Sequence, residues 1–400
     1  MMDIEKFKDI LDKTLKTARE HHESSTGVNF LSNNLSKQQI DYLKTIVNSL
    51  ETTKSILAVL ITSLIKKIED PKQDIRLHRE EFKGGYSGRT LDTKVVTPWL
   101  KEHFPRFAPK QTGWLTRSIE QPHPFTKDFP GKIKNKSVKD AFLSILDDVE
   151  EKNADAKNYL ICLFILVLDK ISKVMKTVEH LTNVKHGKTI TINLILKMLE
   201  EHFSTPQSSR LPVIAIYSIY QILSKNVEIY KDKELQPLKP HTASDSRMGY
   251  GDIEVYYKDG KPFEIVEIKH EIPIGLTMIG DVLKKIQGTS IKRYFILTTA
   301  EPNFEGNEEE ILDSLNKIKK EYNVDIIPNG VLPSLKYYLR LIDNPIEFVN
   351  TYTENLEREF QQTTDIKEVH IEKWKKIIEK YDLHANESDI KRKSDEQKRE

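Results

Sequence analysis

The sequence predicts a mixed protein of the α/β (α+β) class, with one β-sheet covered by helices and large additional helical regions. Three observations lead there. Apolar residues recur at three- and four-residue steps over much of the chain before about residue 225. Alternation replaces that spacing from Ile253, and strand-like and helix-like segments then succeed one another. Hydrophobic residues, at 38%, suffice for a packed core, although 31% of the chain is charged.

Within residues 1–75, Leu35, Ile40, Leu43, Ile46, Val47 and Leu50 mark one helical face, and Leu57, Leu60, Ile61, Leu64, Ile65 and Ile68 mark another. Asp70-Pro71 ends the second run. Residues 77–130 are rich in Gly, Pro, aromatic and basic residues, so contacts rather than propensity must set their conformation. Ser137 is placed to cap a helix through Phe142, Ile145, Leu146 and Val149. Asn158 to about Val178 is apolar on all sides for three turns and reads as a buried helix. Helices are expected over Thr191–Phe203 and Pro212–Leu223, the latter with Pro212 near its first turn.

Strands are then expected at Ile253–Tyr257, Phe263–Lys269 and Tyr294–Thr298, with a helix at Thr277–Gln287. Glu309–Tyr322 is amphipathic, Val324–Ile327 reads as a short strand, and Leu332–Ile342 and Pro345–Phe360 read as helices. The last 20 residues hold 11 charges and suit a frayed helix or tail. The expected organisation is a helical region (1–75), a basic, loop-rich and helical DNA-binding region (76–205), a core (206–365) and a charged tail (366–400).

A chain of 400 residues allows two or three domains, and its composition excludes a wholly disordered chain, a collagen-like fibre or a small disulfide scaffold. Uncharged apolar runs such as Asn158–Leu168 are too short to span a bilayer, and no membrane partner is expected. Cys162 is the sole cysteine, so no intrachain disulfide or multi-thiolate metal site can form. With no export signal visible, a reduced cytoplasmic location is expected. The net charge is only +1, yet Lys72–Lys139 carries 15 Lys/Arg against 7 Asp/Glu. Such an excess attracts a polyanion, though it equally suits a solvated surface.

The chemistry concentrates between Gly251 and His270. Asp259-Gly260 between two alternating runs predicts a two-residue hairpin loop. That register sets Tyr256 opposite Phe263, Glu254 opposite Ile265, and Asp252 opposite Glu267, with Lys269 on the same face. Ile253, Val255, Val266 and Ile268 face a core. Two adjacent carboxylates repel unless a cation joins them, and oxygen ligands suit Mg²⁺. The backbone carbonyl of Ile268 is a further candidate ligand, and Lys269 is placed to orient or deprotonate a water attacking a phosphodiester. Glu254 shares the Asp252 face and is a candidate ligand for a second metal. The same alternation also suits an ordinary solvated hairpin.

Asp252, a 15-residue interval and Glu267-Ile268-Lys269 resemble the PD-(D/E)xK nuclease motif in the form used by type II restriction endonucleases. Gly251 stands where the family pattern has proline. The resemblance implies a restriction-endonuclease-like αβββαβ core, Asp252 and Glu267 as metal ligands, and an upstream helix that contributes a further acid, with Glu200 or Glu201 as candidates. It also implies Mg²⁺-dependent cleavage of double-stranded DNA to 5′-phosphates, a homodimer, and a cognate DNA methyltransferase as functional partner. A repair or recombination nuclease, or a DNA-binding protein without turnover, are the alternatives.

Two loops are candidate DNA contacts. His241, Ser244 and Arg247 precede Asp252 in a small, polar stretch, where Arg247 is suited to a phosphate or a guanine edge. Lys83-Gly84-Gly85-Tyr86-Ser87-Gly88-Arg89, followed by Lys94, combines glycines with positive charge but lacks the Gly-Lys-Ser/Thr ending of a P-loop. Either is also explained as a plain surface loop.

Overall fold

In a computed structural model of the chain, residues 3–179, 190–239, 249–381 and 383 are described. The chain divides into two compact units, residues 1–175 with 361–364, and residues 176–360 with 365–400.

The first unit is helical: α1 (Ile4–Glu23), α2 (Gly27–Asn34), α3 (Lys37–Asn48), α4 (Lys54–Glu69), α5 (Gly88–Leu91), a π turn (Asp92–Val96), α6 (Thr97–His103), α7 (Lys136–Glu151) and α8 (Ala156–Glu179). Asp3 caps α1 by accepting the Lys6 amide, and Phe7, Leu11, Leu15 and Ala18 form its buried face. Burial is continuous in α4 from Ile56 to Ile65, as its apolar run requires. Asn135 rather than Ser137 caps α7, accepting the Val138 amide at 3.2 Å. The intervening loops are ordered by contacts. Buried Asp92 accepts from the Thr97 hydroxyl at 2.9 Å, the Gly113 amide at 2.7 Å and the Thr112 hydroxyl. His78 stacks on Phe125 with ring centres 3.8 Å apart. Cys162 is buried in α8, and burial pushes its thiol up to about 12, so it serves packing.

The second unit holds α9 (Ile192–Phe203), α10 (Arg210–Asn226), β1 (Lys233–Leu235), β2 (Ile253–Tyr257), β3 (Pro262–Lys269), α11 (Leu276–Ile286), β4 (Arg293–Thr298), α12 (Glu308–Tyr322), β5 (Asp325–Gly330), α13 (Val331–Leu339), α14 (Pro345–Gln362) and α15 (Glu368–Lys380). One five-stranded mixed sheet runs in the order β1-β2-β3-β4-β5. The first three strands pair antiparallel, β2 and β3 through a tight turn, whereas α11 and α12 carry the chain back for parallel β4 and β5. β1 has no apolar alternation to announce it, and its pairing of Lys233 with Tyr257 and Leu235 with Val255 defines it. Central β3 is covered on both faces. Ile265 joins Ile279, Val282 and Ile296 in one core, and Val266 and Ile268 are buried opposite.

The hairpin differs from expectation at its tip. Tyr257 N–H donates to the Lys261 carbonyl at 2.8 Å, and Gly260 adopts φ +80°, so the loop is Lys258-Asp259-Gly260. The left-handed residue must be glycine or a tolerant substitute, and glycine stands there. Tyr256 therefore faces Pro262 rather than Phe263. An irregularity between Val255 and Tyr256 absorbs the extra loop residue, so Glu254 faces Ile265 and Ile253 faces Val266 as expected.

Residues 368–380, inside the stretch expected to be a charged tail, form α15. Ile371, Trp374, Ile377 and Ile378 recur on its buried face. Trp374 stacks on His202 at 5.1 Å and donates its indole N–H to Thr353 at 2.9 Å. The His370 carbonyl can only accept, so His202 Nε2 carries the proton at that 2.9 Å contact, and Tyr352 donates to Nδ1. Trp374→Ala should cost about 3–5 kcal/mol by opening a cavity in this contact, measured as a lowered denaturation midpoint of the second unit.

Candidate functional site

β3 outruns β2 at its C-terminal end, and the site lies where β2 stops. Ile253 pairs with Val266. Two residues further along β3, the Ile268 N–H points to the same side and donates to Asp252 Oδ2 at 2.8 Å. The aspartate side chain thus takes the ladder position that more β2 backbone would have filled. The Lys269 carbonyl accepts Thr299 N–H at 3.0 Å on the β4 side. Strand alternation therefore turns the Ile268 carbonyl toward Asp252.

Glu254 anchors the approach to Asp252. Its Oε1 accepts the amides of Tyr250 at 2.6 Å and Gly251 at 3.3 Å, while Oε2 takes Lys239 Nζ at 2.9 Å and the Tyr256 hydroxyl at 3.0 Å. Both oxygens are engaged and the residue is buried, so in this structure Glu254 serves as an anchor beside the Asp252–Glu267 pair. The Tyr294 hydroxyl donates to the Tyr250 carbonyl at 2.7 Å. A Cβ on Gly251 would lie 2.6 Å from Ile265 Cγ2 and 2.8 Å from the Val266 carbonyl. Glycine here thus permits a close approach of backbone to β3.

Glu267, with its side chain 14% exposed, receives Lys269 Nζ at 2.6 Å on Oε1 and Lys285 Nζ at 3.3 Å on Oε2. The Tyr294 hydroxyl also lies 3.3 Å from Oε2. Burial works upward on this carboxyl, but the two ammonium groups outweigh it and hold it below its ordinary 4.5. Asp252 moves the other way. Burial and then the negative charge of Glu267 push it above its ordinary 3.8, against the Ile268 amide and the Lys269 charge. One acid of the pair is held ionised while its neighbour resists ionisation.

Glu267, but not Asp252, borders a cleft of about 680 Å³ whose charged lining also includes Lys269, Lys284, Lys285, Asp281 and Glu305. Among the described residues, no group of three or more His, Cys, Asp or Glu side chains converges to hold a metal. Two carboxylates and a backbone carbonyl are the donor set of a hard cation that keeps most of its waters, as Mg²⁺ does. The chain matches no known family model and no curated protein. What the site can do must therefore be argued from its own chemistry.

The other expected residues are dispersed. Glu201 on α9 pairs with Lys373 at 2.9 Å and Lys380 at 2.7 Å of α15, and Glu200 is exposed, so neither joins the carboxylate pair. Arg89 pairs with Glu120 at 2.6 Å in the first unit, and Lys94 is exposed there. The glycines beside Arg89 answer to packing. A Cβ on Gly88 would lie 2.4 Å from the Trp114 ring, and one on Gly85 would lie 1.9 Å from the Arg79 carbonyl. His241, Ser244 and Arg247 lie outside the described residues.

Sequence reading missed Lys285, Tyr294, Arg210 and His270. Arg210 is buried against Glu359 at 2.7 Å and helps lower Asp252. The His270 ring is fixed between Thr299 at 2.8 Å and Ser208 at 2.9 Å. None had a local signal beyond adjacency to Lys269 or a place on an amphipathic helix.

The two acids should affect stability with opposite sign. The folded chain keeps the Asp252 proton at a pH where the unfolded chain has released it, so stability falls as pH rises above 3.8 through the folded value. Asp252→Asn escapes that loss and should be more stable than wild type at neutral pH, with the gap closing in acid. Glu267 contributes stability above 4.5 that is lost as pH falls through its lower folded value. Glu267→Gln leaves Lys269 and Lys285 facing each other and should be less stable at neutral pH, converging with wild type in acid. Urea unfolding of the three proteins across about pH 3 to 8 reads both trends.

Proposed function

We propose that the second unit is the catalytic body of a Mg²⁺-dependent endonuclease that cleaves double-stranded DNA, similar to type II restriction enzymes of the PD-(D/E)xK superfamily. The observation that carries this reading is the meeting of Asp252, Glu267, Lys269 and the Ile268 backbone at the end of β3, beside an open cleft. The order α10-β1-β2-β3-α11-β4 supports it, since it matches the αβββαβ core that the motif implies. Location supports it too, because parallel β3 and β4 end at the site, and ligands of α/β sheets gather at the carboxyl ends of strands.

Asp252, Glu267 and the Ile268 carbonyl would hold Mg²⁺, which when bound stabilises negative charge on the oxygens of the cleaved phosphate. The Ile268 amide fixes the Asp252 carboxylate in position, and Glu254 secures the chain on its other side. Lys269 lies at the Glu267 end of the cleft, where its ammonium orients the attacking water and balances charge at phosphorus. In-line attack releases a 3′-hydroxyl and leaves a 5′-phosphate. A homodimer would bring one such site to each strand, and a cognate methyltransferase would protect host DNA.

Digestion of unmethylated plasmid with Mg²⁺ tests the reading, and discrete fragments are the expected outcome. A smear points to a repair-type nuclease, and intact DNA alongside tight binding points to a protein without turnover. Lys269→Ala should slow cleavage by about 10²–10⁴-fold or more, while duplex affinity in Ca²⁺ stays near wild type. Equal loss of both properties would count against the assigned role.

A further inference from the structure

Lys285 sits oddly for a residue of a surface helix. It occupies the last turn of α11, three residues after buried Val282, with its side chain only 30% exposed. Its neighbour Lys284 is 78% exposed and pairs with Asp281 at 3.1 Å on its own helix. Lys285 instead reaches across to β3, where its ammonium lies 3.3 Å from Glu267 Oε2. The other oxygen, Oε1, is already held by Lys269 at 2.6 Å. Glu267 is thus neutralised by one cation from its own strand and one from a different element. Asp252 has the Ile268 amide as its hydrogen-bond donor.

A divalent ion shared by Asp252 and Glu267 competes with the two ammonium groups for the Glu267 oxygens and needs at least one of those oxygens freed. Lys285 is the partner able to leave. Lys269 is committed to Oε1 by the shorter contact, while Lys285 has a longer one, a flexible four-carbon stem and a cleft of about 680 Å³ into which to turn. A phosphate of bound DNA is the anion that would receive it there, because lysine binds phosphate as a mobile point charge.

We propose that Lys285 is an exchangeable cation of the site: it holds Glu267 when no divalent ion is bound, and on metal binding it transfers to a DNA backbone phosphate in the cleft. Metal and DNA then bind cooperatively, because each favours the same position of Lys285. The proposal rests on the nuclease reading and adds the order of charge exchange within it.

Four variants of the full chain test it, one of them Asp252→Asn, which removes an acid of the pair. Lys285→Gln removes the exchangeable charge, Lys285→Arg keeps a cation, and Lys284→Gln removes the same charge one residue away. Mn²⁺ binding is measured calorimetrically without DNA. Affinity for a duplex of about 20 base pairs is measured with and without Ca²⁺ over a series of salt concentrations, where each phosphate contact contributes about 0.9 to the salt slope.

Lys285→Gln should bind Mn²⁺ about threefold or more tightly than wild type, and should lose most of the gain in DNA affinity that Ca²⁺ confers. Its salt slope should be smaller by about one phosphate contact in Ca²⁺ and unchanged without it. Lys285→Arg should follow wild type, and Lys284→Gln, at a residue that lines the same cleft but pairs with Asp281, should leave Mn²⁺ binding and the response of DNA affinity to Ca²⁺ unchanged. Unchanged or weaker Mn²⁺ binding by Lys285→Gln, or an unchanged response of DNA affinity to Ca²⁺, overturns the exchange while leaving the nuclease reading standing. If wild type shows no Mn²⁺ site that Asp252→Asn removes, the nuclease reading fails and the exchange fails with it.

Discussion

The hydrogen bond from the Ile268 amide to Asp252 is the contact on which the site depends. β3 extends beyond β2, and a central strand whose neighbour stops leaves buried backbone groups unpaired. Filling one of those positions with a carboxylate satisfies the amide and brings an acid against Glu267. The charge conflict follows from that substitution, while the alternation of β3 turns the Ile268 carbonyl to the same side. Satisfying the backbone and placing one acid beside another are one event here.

Four acids on or beside this hairpin show how environment assigns role. Glu264 points to the face opposite Glu267 and accepts from the Tyr230 hydroxyl at 3.0 Å and from Tyr220, so it is a buried member of the core, pushed upward by desolvation. Glu254 is buried on the site's own face, but one oxygen accepts the backbone amides leading into Asp252 and the other accepts from Lys239 and Tyr256. Glu267 meets ammonium groups, and Asp252 meets an amide and a neighbouring negative charge. Residue type is shared or nearly so. Partners distinguish the carboxylates bound into the core or to backbone amides from the pair that meets at the end of β3.

The glycines divide in the same manner. Gly260 is required by the left-handed turn at the hairpin tip, and Gly251 by the closeness of β3. Gly85 and Gly88, which with Arg89 suggested a phosphate-binding loop, are required by a carbonyl and an indole ring. A glycine-rich basic segment reads alike in both cases, because sequence records the missing Cβ and not what occupies its place.

Strong periodicity made the long helices, the core strands and the hairpin legible, since spacing alone selects the buried face. The meeting of Asp252, Glu267 and Lys269 was legible because strand alternation carries register from a turn to a distant residue, and the irregularity at Val255/Tyr256 offset the misjudged loop length. β1 and α15 were not. β1 is defined by its partner, and the apolar stripe of α15 is short beside its charges. Lys285, Tyr294 and Arg210 also required tertiary structure, since each reaches the site from a separate element. By itself the sequence determined periodicity, register and the nature of the charged groups, all of which are local properties of a chain. Which charges meet, which are neutralised and which face a cleft was decided only by packing, because electrostatic energy depends on separation in space and on burial, and neither is a function of distance along the chain.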